Sequence, residues 1–144
     1  MITYERLKPE QITEADVADI NALLLQLTDA PQPLDRDRAI EIAQKSLWIA
    51  ARNEEGRIKG INTLTISHIP TGRVGHLDDV VVDKSLRGRG AGEELVKRLI
   101  DLARSEALVD QIDLTCRPSR VAANNLYRKL GFQQRETNCY FMKL

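Results

Sequence analysis

The chain has 144 residues, 21 basic against 21 acidic side chains and 42% hydrophobic residues. That length fits a single domain, 1–144, able to bury its own core, and the even charge lacks the basic excess that nucleic-acid binding needs, so no nucleic-acid partner is expected. Cys116 and Cys139 form no Cys-x-x-Cys pair and stand apart from His68 and His76, and no segment nears the roughly 18 apolar residues of a membrane span, so neither a metal centre nor a membrane partner is expected and the location read is cytoplasmic.

Ile2 to Leu7 reads as a first strand. Thr13 followed by Asp16 resembles a capping box, and Val17, Ile20, Leu24 and Leu27 recur at helical spacing until Pro31 and Pro33. A shorter helical pattern runs through Ala39, Ile40 and Ala43, its start marked by Asp35 and Asp37. Leu47–Arg52 and Ile58–Ile66 flank the turn Asn53-Glu54-Glu55-Gly56 as a hairpin, and Val74–Val82 makes a third antiparallel strand. A glycine loop then opens a helix of about four turns. Ile112–Cys116 follows that crossover as a parallel strand, Arg120–Leu130 as a helix stopped by Gly131, and Cys139–Leu144 as a last strand. The pattern is mixed α/β (α+β): a mostly antiparallel sheet with one parallel pair and about four helices.

The loop is Arg87-Gly88-Arg89-Gly90-Ala91-Gly92, between Val80-Val81-Val82 and the pattern of Leu95, Leu99 and Leu102. A strand, a glycine turn and a helix N-terminus present free N–H groups and a positive dipole end, which suits a phosphate-bearing ligand. Glu93-Glu94 follows Gly92 where a nucleoside-triphosphate loop needs Lys-Ser/Thr, and evenly spaced glycines do not match the dinucleotide fingerprint. A pyrophosphate in some other ligand is indicated.

These residues resemble the GCN5-related N-acetyltransferase superfamily. One match is Val80-Val81-Val82-Asp83 with the glycine loop; the other is Leu126-Tyr127-Arg128-Lys129-Leu130-Gly131-Phe132, similar to the family's late signature. The resemblance covers about residues 47 to 144, the first 45 agreeing only in layout. It implies acetyl-CoA as cosubstrate, no metal, a splay between the strands at Val74–Val82 and Ile112–Cys116, and the pantetheine arm along the backbone of Val80, Val81 and Val82. The N–H groups of Gly88, Arg89, Gly90, Ala91, Gly92 and Glu93 would receive the pyrophosphate, with Arg87 and Arg89 adding charge.

The resemblance makes Tyr127 the general acid that reprotonates the departing thiolate, and places the base among the acidic residues of the strand before the loop. Consecutive strand residues point to opposite faces, so one of Asp78 and Asp79 should look into the acceptor cleft; Asp79 is preferred, with His76 as a further candidate. Where many relatives carry a coenzyme-contacting asparagine this chain has Arg120, preceded by Ser119, and coenzyme contact is assigned to those two rather than to Asn124. The acceptor is read as a primary amine of a small molecule or peptide. Gly75-His76-Leu77-Asp78-Asp79-Val80 is similar to the matching strand of glucosamine-phosphate acetyltransferases, while Asp29, Asp35 and Asp37 leave a cationic amine open. A protein N-acetyltransferase and a coenzyme-binding sensor or interaction module without turnover are the other readings. Dimers are common in the family, and the last strand is a candidate for a homodimer contact.

Overall fold

The computed structural model describes residues 1–144. It forms two compact units, Met1–Leu114 and Thr115–Leu144. The first contains, in chain order, β1 (Thr3–Arg6), α1 (Glu14–Leu27), α2 (Arg36–Lys45), β2 (Ser46–Arg52), β3 (Ile58–Ile69), β4 (Gly72–Val82), α3 (Ala91–Leu102) and β5 (Gln111–Asp113); the second contains α4 (Val121–Lys129). No helix is long and apolar enough to cross a membrane.

Local signals set the helix ends. Thr13 caps α1 through a complete capping box, its hydroxyl accepting from Asp16 N at 3.1 Å while the Asp16 carboxylate accepts from Thr13 N at 3.0 Å. Asp35 caps α2, accepting from Arg38 N at 2.8 Å. That bond absorbs one of the acids that had left a cationic acceptor open.

The sheet order is β1-β2-β3-β4-β5, antiparallel except for β4 and β5, which run parallel. β2 is buried along nearly its whole length, because helices cover both of its faces. Trp48, Ala50, Ile61 and Val81 pack with Val17, Ile20 and Leu23 of α1 and Ala39 and Ala43 of α2. Alternation sends Leu47 and Ile49 the other way, in register with Leu64 and Asn62. There Asn62, fully buried, donates to the Leu95 carbonyl of α3 at 2.8 Å.

Two buried carboxylates pin α1 to the β2–β3 hairpin. Asp16 accepts from Arg52 at 2.8 Å, and Asp19 pairs with Arg57 and accepts from Ile58 N at 2.9 Å. Burial pushes the Asp19 carboxyl up, but the hydrogen bonds from Arg57 and from Ile58 N–H outweigh it, and the net pKa lies below the ordinary value. A carboxyl depressed in the fold contributes stability that is present above its unfolded pKa, about 3.9, and lost as pH falls through the folded one. Asp19→Asn is therefore expected to lose about 2 kcal/mol in chemical denaturation at pH 7, because a buried N–H loses its charged acceptor. That deficit should shrink as pH falls below about 3.9, where the unfolded carboxyl takes up its proton ahead of the folded one, and vanish as pH passes below the folded pKa.

Three expectations change. Cys139–Leu144 is not a strand: the residues after α4 have no regular structure, and Tyr140, Phe141, Met142 and Leu144 are exposed. A strand exists through its ladder partner, and a short apolar run carries no information about one. The parallel strand is shorter than Ile112–Cys116, because its ladder with β4 is limited to Val74–Gln111, Gly75–Ile112 and His76–Asp113. The helix after the glycine loop has 12 residues as α3, then loosens into a π-type turn over Ala103–Ala107.

Candidate active site

The glycine loop forms as the sequence predicts. Gly88 and Gly90 adopt φ of 78° and 79°, a left-handed backbone that disfavours any Cβ, and Gly90 is the N-cap of α3. Nothing lies within 4 Å of where a Cβ would stand on either, so the loop faces open space. No protein group accepts from the N–H of Gly88, Arg89, Gly90, Ala91 or Gly92. These donors converge on the positive end of the α3 dipole, the geometry that holds phosphate oxygens.

Asp83 fixes the entry to this loop. Its carboxylate accepts from Ser85 N at 2.9 Å and from Gln26 Nε2 at 2.8 Å, and its N–H donates to the Lys59 carbonyl at 2.8 Å. Hydrogen bonds from Ser85 and Gln26 hold its carboxyl far below the usual range. Gln26 also accepts from Lys84 N at 3.0 Å, so the end of α1 is tied to the turn. Arg87 Nε reaches the Val82 carbonyl at 3.4 Å.

β4 is paired with β3 from Gly72 to Val82, but with β5 only from Val74 to His76. Leu77 to Val82, which includes Val80, Val81 and Val82, therefore has an unpaired backbone edge on the β5 side. This is the expected splay.

Opposite, the β3–β4 register breaks. Ile61 faces Val81 and Thr63 faces Asp78, so Asn62 alone stands against Asp79 and Val80. This is a β-bulge, with Asp79 at φ 50°. The extra residue changes the phase of the strand: Asp78 and Val81, three apart, stand in register with Thr63 and Ile61, whose side chains share a face. The rule that only one of Asp78 and Asp79 can look into a cleft fails here, because alternation does not survive a left-handed residue.

Both carboxylates line one cavity of about 590 Å³ under α1 and α2, together with Trp48, Thr63 and Thr65. The concave surroundings push the Asp79 pKa up, and the Asp78 charge adds to this, although part of the side chain is open to solvent. His76 does not line the cavity; its Nδ1 contacts Asp113 of β5. Asp29, Asp35 and Asp37 do not line it either.

In the second unit, Tyr127 of α4 is buried and stacks edge-to-face on Phe132 with centroids 5.8 Å apart. Burial raises its pKa, and the Cys116 thiol adds to the rise while Arg120 opposes it, leaving a phenol that stays protonated well into the alkaline range. Ser119 and Arg120 are exposed in the turn before α4. Asn124 donates to the carbonyls of Arg117 and Arg120 at 3.0 and 2.8 Å, a role in holding that turn. Gly131 ends the segment at φ 98°.

Sequence reasoning missed Trp48, Arg38 and Lys45, which join the cavity only through strand register and helix packing.

A sheet that splays beside a bulged strand and runs into a glycine cradle at a helix N-terminus defines the acyl-CoA-dependent acetyltransferase class. The chain belongs to the Acetyltransferase (GNAT) family, whose sequence model matches residues 15–132. That match starts well before residue 47, so the first helices carry more of the likeness than their sequence suggested. The chain is 32% identical to glucosamine 6-phosphate N-acetyltransferase of Trypanosoma brucei brucei over 144 residues, 87% of this chain and 88% of that protein. It is 44% identical to glucosamine 6-phosphate N-acetyltransferase 1 of Oryza sativa subsp. japonica over 64 residues, 44% of this chain but only 36% of that protein's length. Among solved structures, a Trypanosoma brucei acetyltransferase superposes with a TM-score of 0.78 at 28% identity, covering 99% of this chain and 100% of that one. Glucosamine-6-phosphate N-acetyltransferase from Arabidopsis thaliana gives 0.78 at 21% identity, with coverage of 99% and 98%, a likeness of fold.

Proposed function

We propose that the chain moves an acetyl group from acetyl-CoA to a primary amine of a small molecule by direct attack, with an amino sugar phosphate as the acceptor that its named relatives suggest. The observation that carries this reading is the β4 bulge: one distortion sets two carboxylates in a cavity and lies within the unpaired strand edge that runs into the glycine cradle. The family model crosses both compact units, which supports treating 1–144 as one N-acetyltransferase domain.

In the proposed reaction the amine nitrogen attacks the thioester carbonyl carbon. Asp79, directly or through water, takes the ammonium proton, and the negative charge of Asp78 keeps its neighbour basic. Backbone N–H near Val80 or Val81 receives the developing oxyanion. The carbon–sulfur bond then breaks and Tyr127 gives its proton to the thiolate. Coenzyme binding falls to the edge of Val80, Val81 and Val82, to the loop from Arg87 to Glu93, and to Ser119 and Arg120. Cytoplasmic location and a homodimer complete the proposal.

The test is release of free CoA thiol from acetyl-CoA across an amine panel containing glucosamine 6-phosphate, other amino sugars, a polyamine and a lysine peptide. Acceptor-dependent thiol is expected. Coenzyme binding with no thiol from any amine would establish the sensor reading instead.

A further inference from the structure

The cavity has two chemically opposed walls. Asp78 and Asp79 stand on the sheet side, while α2 contributes Arg38, Glu41 and Lys45. Positions 38, 41 and 45 recur at three- and four-residue intervals, so they share one face of the helix. The two cations differ: Lys45 pairs with Glu41 at 2.7 Å, whereas the Arg38 guanidinium makes no direct ion pair and feels the Glu41 charge only at longer range. A third donor lies deeper. Trp48 is 2% exposed and lines the same cavity, and its Nε1–H has no acceptor.

A pocket for a plain cationic amine needs carboxylates alone, and an unpaired guanidinium within it works against such a ligand. A buried N–H without an acceptor and an unpaired guanidinium on the same cavity instead fit an anion, which Arg binds in a bidentate fashion. Resting on the acetyl-transfer reading, we infer that the α2 face of this cavity, through Arg38 and Lys45, recognises an anionic group carried by the acceptor, away from its amine. Glu41 acts within this arrangement as a resident counter-ion that the acceptor's anion displaces from Lys45. Phosphate and carboxylate share the chemistry required. The acid cluster thus receives the amine and the basic helix face the anion, which orients the acceptor and disfavours polyamines.

Trp48 is the chain's single tryptophan, so its emission reports binding in this cavity without any need for turnover. Glucosamine, glucosamine 6-phosphate and glucosaminate, which carries a carboxylate, would be titrated against the full chain. At least one anionic acceptor is expected to bind about tenfold or more tightly than glucosamine, a typical gain for one charge-assisted contact, and comparison of the two identifies the anion. Arg38→Ala should erase that preference, Arg38→Lys should restore part of it, and Glu41→Gln should tighten anionic acceptors by freeing Lys45. The opposite signs of the Arg38 and Glu41 variants separate recognition from general damage to α2. Equal binding of all three acceptors to the wild type, or a preference unchanged in Arg38→Ala, would overturn the inference. Anion preference without thiol release from any amine would leave it standing and remove the acetyl-transfer reading alone.

Discussion

Tyr127→Phe is expected to reduce turnover by about a hundredfold or more while leaving acetyl-CoA affinity within about twofold, the usual scale for loss of a positioned proton donor. The substitution removes one oxygen. It retains the ring that stacks on Phe132, and the hydroxyl makes no hydrogen bond to a protein group, so the fold should be unaffected. Burial holds the phenol above its ordinary pKa of 10.0, so it remains a donor across the neutral range and the alkaline loss of rate should begin only above that value. Thiol-release kinetics and coenzyme titration measure the two quantities. Equal turnover in the variant would end the general-acid assignment.

The second large effect is Asp79→Asn, for which kcat/KM should fall by about a hundredfold. A base works only when deprotonated, so the wild-type rate should decline as pH drops through the Asp79 pKa. Burial and the Asp78 charge raise that pKa above 3.8, and the acid limb should sit correspondingly high. Asp78→Asn removes the charge but not the base. Its limb should move to lower pH with activity largely kept, whereas Asp79→Asn should lose the limb altogether. If the two variants exchange these behaviours, Asp78 is the base.

Most of the fold was legible because its signals are local. The Thr13 box, the Asp35 cap, the helical spacing from Val17 to Leu27 and the glycine cradle each depend on residues a few positions apart, and each formed. The misreadings concern pairing between distant segments. Cys139–Leu144 is a short, mostly apolar run of strand length, yet such a run cannot supply a partner. The bulge is a mismatch of count between β3 and β4, so neither strand alone reveals it, and the shared cavity of Asp78 and Asp79 followed from it. The cavity was least legible for the same reason: Arg38, Trp48 and Thr63 come from three elements and line it together only when register and helix packing are set.

With Asp79 as the proposed base, folding and activity make opposed demands at this position. Its φ of 50° is a conformation in which glycine is relaxed and most side chains lose about 1 kcal/mol, a penalty that Asp softens with its short polar group. A library at this position sorted for heat resistance should drift towards glycine, and the same library sorted for turnover should return to aspartate.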